Sequence, residues 1–134
     1  MVVNWKQCQT YEEARHFRNC IYLHEWGGKP FYWGKIHNIF FGGHMRTREG
    51  FRASGRYNAG YKHWIEGCLR HGASLYLGQI TTDDVFTIDE VENHLIAAFP
   101  SEMNVKHIVG GREIVLVHVG DVPVCILEKM EEAR

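Results

Sequence analysis

Apolar side chains recur along this chain with two periods, every second residue in some stretches and every third or fourth in others. Asn19-Cys20-Ile21-Tyr22-Leu23 and Phe31-Tyr32-Trp33-Gly34-Lys35 carry aromatic and β-branched residues, and Trp26-Gly27-Gly28-Lys29-Pro30 links them. That pattern predicts two antiparallel strands joined by a tight turn. With the turn centred at Gly27, Tyr22 and Tyr32 lie directly opposite each other and point to one face. Cys20 and Gly34 form the next pair on that face, and both are small, which leaves open floor beside two phenols. Such a pair either packs in a core or edge, or lines a site.

The helical period appears further on. Tyr61, Trp64, Ile65, Cys68 and Leu69 fall at i, i+3, i+4, i+7 and i+8, with Asn58 placed as an N-cap and Gly72 just past the C-terminus. His63, Glu66 and Arg70 lie on the opposite face, so His63 is expected in solvent or against a partner. Ser74 to Ile80 alternates as a third strand, and 81–86 reads as an acidic loop. Thr87-Ile88-Asp89-Glu90 is a capping box. Behind it Ile88, Val91, Leu95, Ile96 and Phe99 cover one arc of a helix, and Glu92 falls inside that arc while Asp89 points elsewhere. A carboxylate on an apolar stripe requires a charge partner, a metal or a wet cleft. A core salt bridge to one of the arginines in the middle of the chain would satisfy it equally well.

The remaining stretches say less. Thr10-Tyr11-Glu12-Glu13 is a second capping box and opens a short helix to about Phe17. Residues 36–55 read as a long, basic, glycine-punctuated loop with a helical turn near Met45 to Phe51. Glu113 to Val119, a turn at Gly120-Asp121, and Val122 to Leu127 predict a second hairpin, followed by a charged tail from Lys129 to Arg134 that frays. A chain of 134 residues with 45% hydrophobic and 23% charged residues suits a single domain with one core, residues 1–134.

Charge changes the picture more than composition does. Lys29 to Arg70 holds eight basic residues against Glu49 and Glu66, a local charge of +6; the total is −1, so the rest carries −7. A basic middle beside the hairpin suits a phosphate-bearing partner, unless the acidic remainder neutralises it. No apolar run approaches the ~20 residues of a membrane helix, so no membrane partner is expected. The start has no signal-peptide pattern, so the cytoplasm is the expected compartment. Four scattered cysteines read as reduced thiols rather than a disulfide or zinc frame, and the nine histidines form no ligand cluster.

Taken in order, Cys20-Ile21-Tyr22, Tyr32-Trp33-Gly34-Lys35, and Glu92-x-x-Leu95-Ile96 followed by Pro100 and Asn104 resemble the GIY-YIG nuclease superfamily over roughly residues 19–104. Cys20 stands where that family usually has Gly, and Trp33 replaces Ile or Val. Gly42 occupies the spacing of the family's arginine, so the basic loop reads as an insertion. Arg56 is the favoured arginine, with Arg46 and Arg48 as rivals.

The resemblance implies an α+β fold, a small three-stranded antiparallel sheet flanked by helices. Its core spans about 19–104, and the C-terminal hairpin at about 111–128 is an extension. It also implies a DNA endonuclease, of the kind a phage or mobile element carries, that hydrolyses a phosphodiester with one divalent ion, Mg²⁺ or Mn²⁺. Glu92 would hold the metal and Arg56 would clamp the non-bridging oxygens. Tyr22 would take the proton from the attacking water, with Tyr32 orienting water or phosphate. A phenol near pKa 10 is only about 0.1 to 1% ionised between pH 7 and 8, so nearby positive charge must favour the phenolate. Lys35 and His63 would touch phosphate, and Asn104 would brace the cleft. DNA would bind through segment 29–70, and a homodimer stays open. Two other readings stand beside this one. The first is a catalytically inactive nucleic-acid-binding or interaction module on the same scaffold, favoured by the near-neutral total charge. The second is a structural or regulatory protein in which the tyrosines and Glu92 merely pack.

Overall fold

The structure, a computed structural model, describes residues 1–36, 41, 44–47, 50–53, 59–80, 86–104 and 113–133, with the backbone alone at 44–47, 50–53 and 59–61. In chain order the elements are β1 (Val2–Cys8), α1 (Tyr11–Ala14), β2 (Cys20–Trp26), β3 (Lys29–Ile36), β4 (His44–Thr47), β5 (Gly50–Ala53), α2 (Ala59–Arg70), β6 (Ala73–Ile80), α3 (Ile88–Ala98), β7 (Val117–Gly120) and α4 (Val124–Glu132). The architecture is mixed α+β.

Five strands form one sheet in the order β3-β2-β6-β1-β7, antiparallel throughout except for the parallel pair β1–β7. The expected three-stranded sheet is therefore too small. β2, β3 and β6 are its three strands at one end, and β1 and β7 widen it. β1 buries Val3, Trp5 and Cys8 and leaves Val2, Asn4 and Lys6 exposed. The expected C-terminal hairpin is also corrected. β7 pairs with β1 rather than with a following strand, and Pro123 opens α4, which runs through most of the tail expected to fray. Between 44 and 53 the chain forms a β4–β5 hairpin instead of a helical turn. The acidic loop at 81–85 and the Asn58 cap lie outside the described residues.

Both faces of the sheet are covered. Ile21, Leu23 and Trp33 pack with Val91, Leu95 and Ile96 of α3 and Ile126 of α4. On the other face Cys20, Tyr22, Ile36 and Leu77 pack with Tyr11 of α1 and Ile65 of α2. β2 lies between two strands and two helical layers, which is why six of its seven residues are buried. Among the described residues no helix is long and apolar enough to cross a membrane.

The hairpin register departs from the expected one in two steps. Gly27 and Gly28 both adopt positive φ (59° and 77°), so the turn is a two-residue loop closed by the Trp26–Lys29 pair. A β-bulge between His24 and Glu25 then makes Phe31 the extra residue, with Glu25 opposite Pro30 and His24 opposite Tyr32. Each step moves the pairing by one residue. Tyr22 consequently faces Gly34, and Tyr32 faces His24; the tyrosines are diagonal neighbours rather than opposite partners. Two shifts preserve the parity, so both phenols still share the α2 face, with ring centroids 6.0 Å apart.

Gly34 is required by this register. A Cβ built there would lie 2.1 Å from Tyr22 Cζ and 2.4 Å from its hydroxyl oxygen. Tyr22 is 1% exposed and packs edge-on to Phe41 at 5.1 Å, which leaves its ring little room to yield. Gly34→Ala should destabilise the fold by about 1–3 kcal/mol, the usual consequence of overpacking. Urea unfolding would show the loss. The double variant with Tyr22→Leu should recover part of it, giving a non-additive cycle for the two contacting positions.

Candidate functional site

The α2 face of the hairpin gathers aromatic rings. Tyr22 lies across Gly34, while Tyr32 on the outermost strand is only half-buried. Between them stands His24, a residue that the sequence reading passed over because it ended the strand at Leu23. Its parity with Tyr22 was the available signal. His24 is 1% exposed, and its ring lies 5.9 Å from Tyr22, 6.4 Å from Tyr32 and 5.1 Å from Trp64 of α2. Its Nε2 is buried and has no hydrogen-bond partner among the described residues. Burial pushes the imidazole pKa down to about 4, so the ring is neutral at physiological pH. Trp64 belongs to the apolar stripe of α2, yet it is 39% exposed.

The α3 face carries the charged groups. Lys35 lies opposite Ile21, which places it on the side that packs against α3. Its Nζ forms ion pairs with Asp89 and, at 3.5 Å, with Glu92 Oε1. Glu92 is 4% exposed. Partial burial works against the ammonium, but the Asp89 hydrogen bond and the charges of Glu92 and Asp89 outweigh it and hold the lysine above its ordinary pKa. Glu92 thus has a charge partner in Lys35, and Asp89, expected to point away, joins the same pair.

The phenols and the carboxylate do not share a face. Tyr22 and Tyr32 lie on the α2 side, and Glu92 lies on the α3 side. What links the halves is β3 itself, the outermost strand, where Gly34 beneath the Tyr22 phenol is followed directly by Lys35. Asn104 holds this strand. Its Oδ1 accepts from the Trp33 backbone N–H at 2.8 Å, its Nδ2 donates to the Trp33 carbonyl at 3.0 Å, and Ser101 Oγ donates to the same Oδ1. The amide thereby imitates a neighbouring strand. The Trp33 indole donates to the Phe99 carbonyl at 2.9 Å and ties α3 to β3.

Arg48 and Arg56 lie outside the described residues, and Arg46 is described in its backbone alone. His63 is exposed on α2. Among the described residues no group of three or more His, Cys, Asp or Glu gathers for a metal. Asp89 and Glu92 do supply two carboxylates at i and i+3 around one cation, Lys35 Nζ. Carboxylate oxygens suit Mg²⁺ or Mn²⁺, which one or two such groups can hold with water completing the shell, so the donor set fits one divalent ion. The four cysteines are all free, and burial raises every thiol pKa, to about 11 at Cys8 and about 12 at Cys20, which suppresses thiolate chemistry. Compared with known protein families, curated proteins and solved structures, the chain matches none.

The neutral, buried His24 makes a prediction about acid. Its native pKa of about 4 lies below the ordinary value of 6.5, so its contribution is fully present above pH 6.5 and is lost as pH falls towards 4. The shift converts to roughly 3 kcal/mol of stability. His118, which accepts a hydrogen bond from the Trp5 indole on Nδ1 and is also pushed down by burial, adds in the same direction. Urea midpoints measured between pH 7 and pH 4 should fall less in His24→Leu than in the wild type. Equal falls would remove His24 as a source of the acid sensitivity.

Proposed function

We propose that this chain is a metal-dependent DNA endonuclease that hydrolyses phosphodiester bonds at the outer edge of β3. The observation that carries the reading is the adjacency of Gly34 and Lys35 on an outermost strand, one beneath the Tyr22 phenol and the other bonded to Glu92. Groups on opposite faces of a sheet can serve one ligand only at such an edge, where the ligand has a single strand to pass around. The motifs of the GIY-YIG-like sequence fall on these same residues.

Exposure assigns the phenols. Tyr32 is half-buried and Tyr22 is closed in, so Tyr32 is the better acceptor for the proton of the attacking water, with Tyr22 fixing the strand beneath it. The water oxygen bonds to phosphorus, the bond from phosphorus to the 3′ oxygen breaks, and the proton passes to the Tyr32 phenolate. Each unit by which the phenol pKa must fall requires about 1.4 kcal/mol of preferential stabilisation of the phenolate. Lys35, held charged by Asp89 and Glu92, contributes positive charge to the phosphate oxygens, and Arg56 is the guanidinium proposed beside them. Glu92 with Asp89 would hold the divalent ion, whose chemistry there would be to neutralise charge on the departing oxygen. Asn104 keeps β3 in place through the Trp33 backbone.

A second reading, a nucleic-acid-binding module without catalysis, is favoured by the burial of Tyr22 and Glu92 and by the ion pair that already satisfies Glu92. Plasmid nicking separates the two. Wild-type protein with Mg²⁺ or Mn²⁺ should nick supercoiled DNA. Glu92→Gln and Tyr32→Phe should each lower the rate by roughly 100-fold or more, the scale of losing a metal-holding or proton-accepting group. DNA retention by all three proteins with no nicking by any of them would establish the binding module instead.

A further inference from the structure

The bulge that shifts the hairpin register also builds a surface. Phe31, the extra residue, lies 6.0 Å from Trp26 and stacks on Trp64 at 6.2 Å with 26° between the planes. Trp26 is 43% exposed and Trp64 is 39% exposed, so two large rings show much of their surface to solvent at the hairpin end. They are held rather than loose. Trp64 packs edge-on against the buried His24 ring, and the Trp26 indole nitrogen lies 3.9 Å from the Cβ position at Gly72 after α2. The platform is continuous with the candidate site, because Phe31 directly precedes Tyr32 and His24 faces Tyr32 across the strands.

A cation stands beside these rings. Exposed Lys29 pairs with Trp26 in the turn. Of the acids around it, Glu66 pairs with Lys62 and buried Glu25 accepts from the backbone N–H of Cys125, while exposed Glu102 precedes Met103, whose N–H bonds the Phe31 carbonyl. Flat exposed rings beside a cation are the chemistry that binds unpaired bases, whose faces stack while a phosphate meets the positive group. An apolar peptide would have no use for the cation, and a duplex hides all but its terminal base faces.

We propose that Trp26, Phe31 and Trp64 form a stacking platform for unpaired bases, so that this chain's substrate is single-stranded DNA or the single-stranded arm of a branched or frayed duplex. This inference rests on the phosphodiester-hydrolase reading and specifies its substrate class. A nucleotide stacked on Phe31 brings its phosphate towards Tyr32, the next residue along the strand.

Binding of a labelled oligothymidylate, and of a blunt duplex of equal length, measured in EDTA tests the platform without cleavage. Wild type should bind the single strand more tightly. Trp26→Ala and Phe31→Ala should each weaken single-strand binding by about 5- to 150-fold, which is ~1–3 kcal/mol of stacking per base, and leave duplex binding within about twofold. Trp26→Phe should retain most of the affinity, and unchanged urea midpoints would show that the fold is intact. Equal loss on both DNAs, or a preference for duplex, would overturn the proposal. So would self-association in sedimentation that Trp26→Ala abolishes, because the rings would then be a contact between copies. Single-strand binding with no nicking under any metal would sink the nuclease and spare the platform. Metal-dependent nicking of duplex without any affinity for single strands would do the reverse.

Discussion

A missing side chain governs the hairpin. Because Gly34 presents no Cβ, the Tyr22 ring can lie flat across β3, and the register that pairs Tyr22 with Gly34 becomes the one the core accepts. Any other pairing of the same parity would set a larger side chain beneath a ring that is already enclosed by Phe41 and His24. The bulge at Phe31 and the two-glycine turn are what the chain needs to reach that register. Trp26, Phe31 and Tyr32 inherit their positions from it.

How far this was legible depends on where the deciding contact sits in the sequence. The hairpin, the helix α3 with its Thr87 capping box, and the third strand could all be read locally, since each follows from its own period and its own end signals. The exact register could not. A turn centred on Gly27 and a turn spanning Gly27 and Gly28 differ by one residue, and a bulge leaves no mark in the apolar pattern. β1 went unread in the sequence, although Val3 and Trp5 alternate with Asn4 and Lys6. Its value shows only when β6 and β7 pair on its two sides. At the C-terminal end, alternating valines at 115, 117 and 119 suggested a buried strand, but all three are exposed and it is Ile114 that packs in the core. Pro123 signalled a helix start more truly than the apolar residues after it signalled a strand.

The split of the candidate site has a similar origin. Strand parity alone separates Tyr22 and Tyr32 from Lys35, and that much was written in the sequence. Which face α3 would choose was not, because β2 is apolar on both sides and could receive a helix on either. Once Val91, Leu95 and Ile96 settle against Ile21, Leu23 and Trp33, Glu92 must find its partner on that side. Lys35 is the residue of β3 that reaches it, 57 positions away in the chain. A buried carboxylate with such a partner is compatible with packing and with chemistry alike, since removing either charge leaves the other exposed to the full desolvation penalty.

The pair stands beside an edge of the sheet. An outermost strand normally needs protection, and here the 101–104 segment provides it, with Met103 N–H bonded to the Phe31 carbonyl and the Asn104 amide bonded on both sides of Trp33. Among the described residues that protection reaches Trp33, and the next two residues are the ones that carry the Tyr22 phenol and the Glu92 ion pair. The pair stands at the rim, with Lys35 and Asp89 partly exposed and Glu92 buried behind them, which lessens the desolvation penalty that a pair at the centre of the sheet would meet. The ring surface that Phe31 shares with Trp26 of β2 and Trp64 of α2 lies one residue before Tyr32 along the same outermost strand.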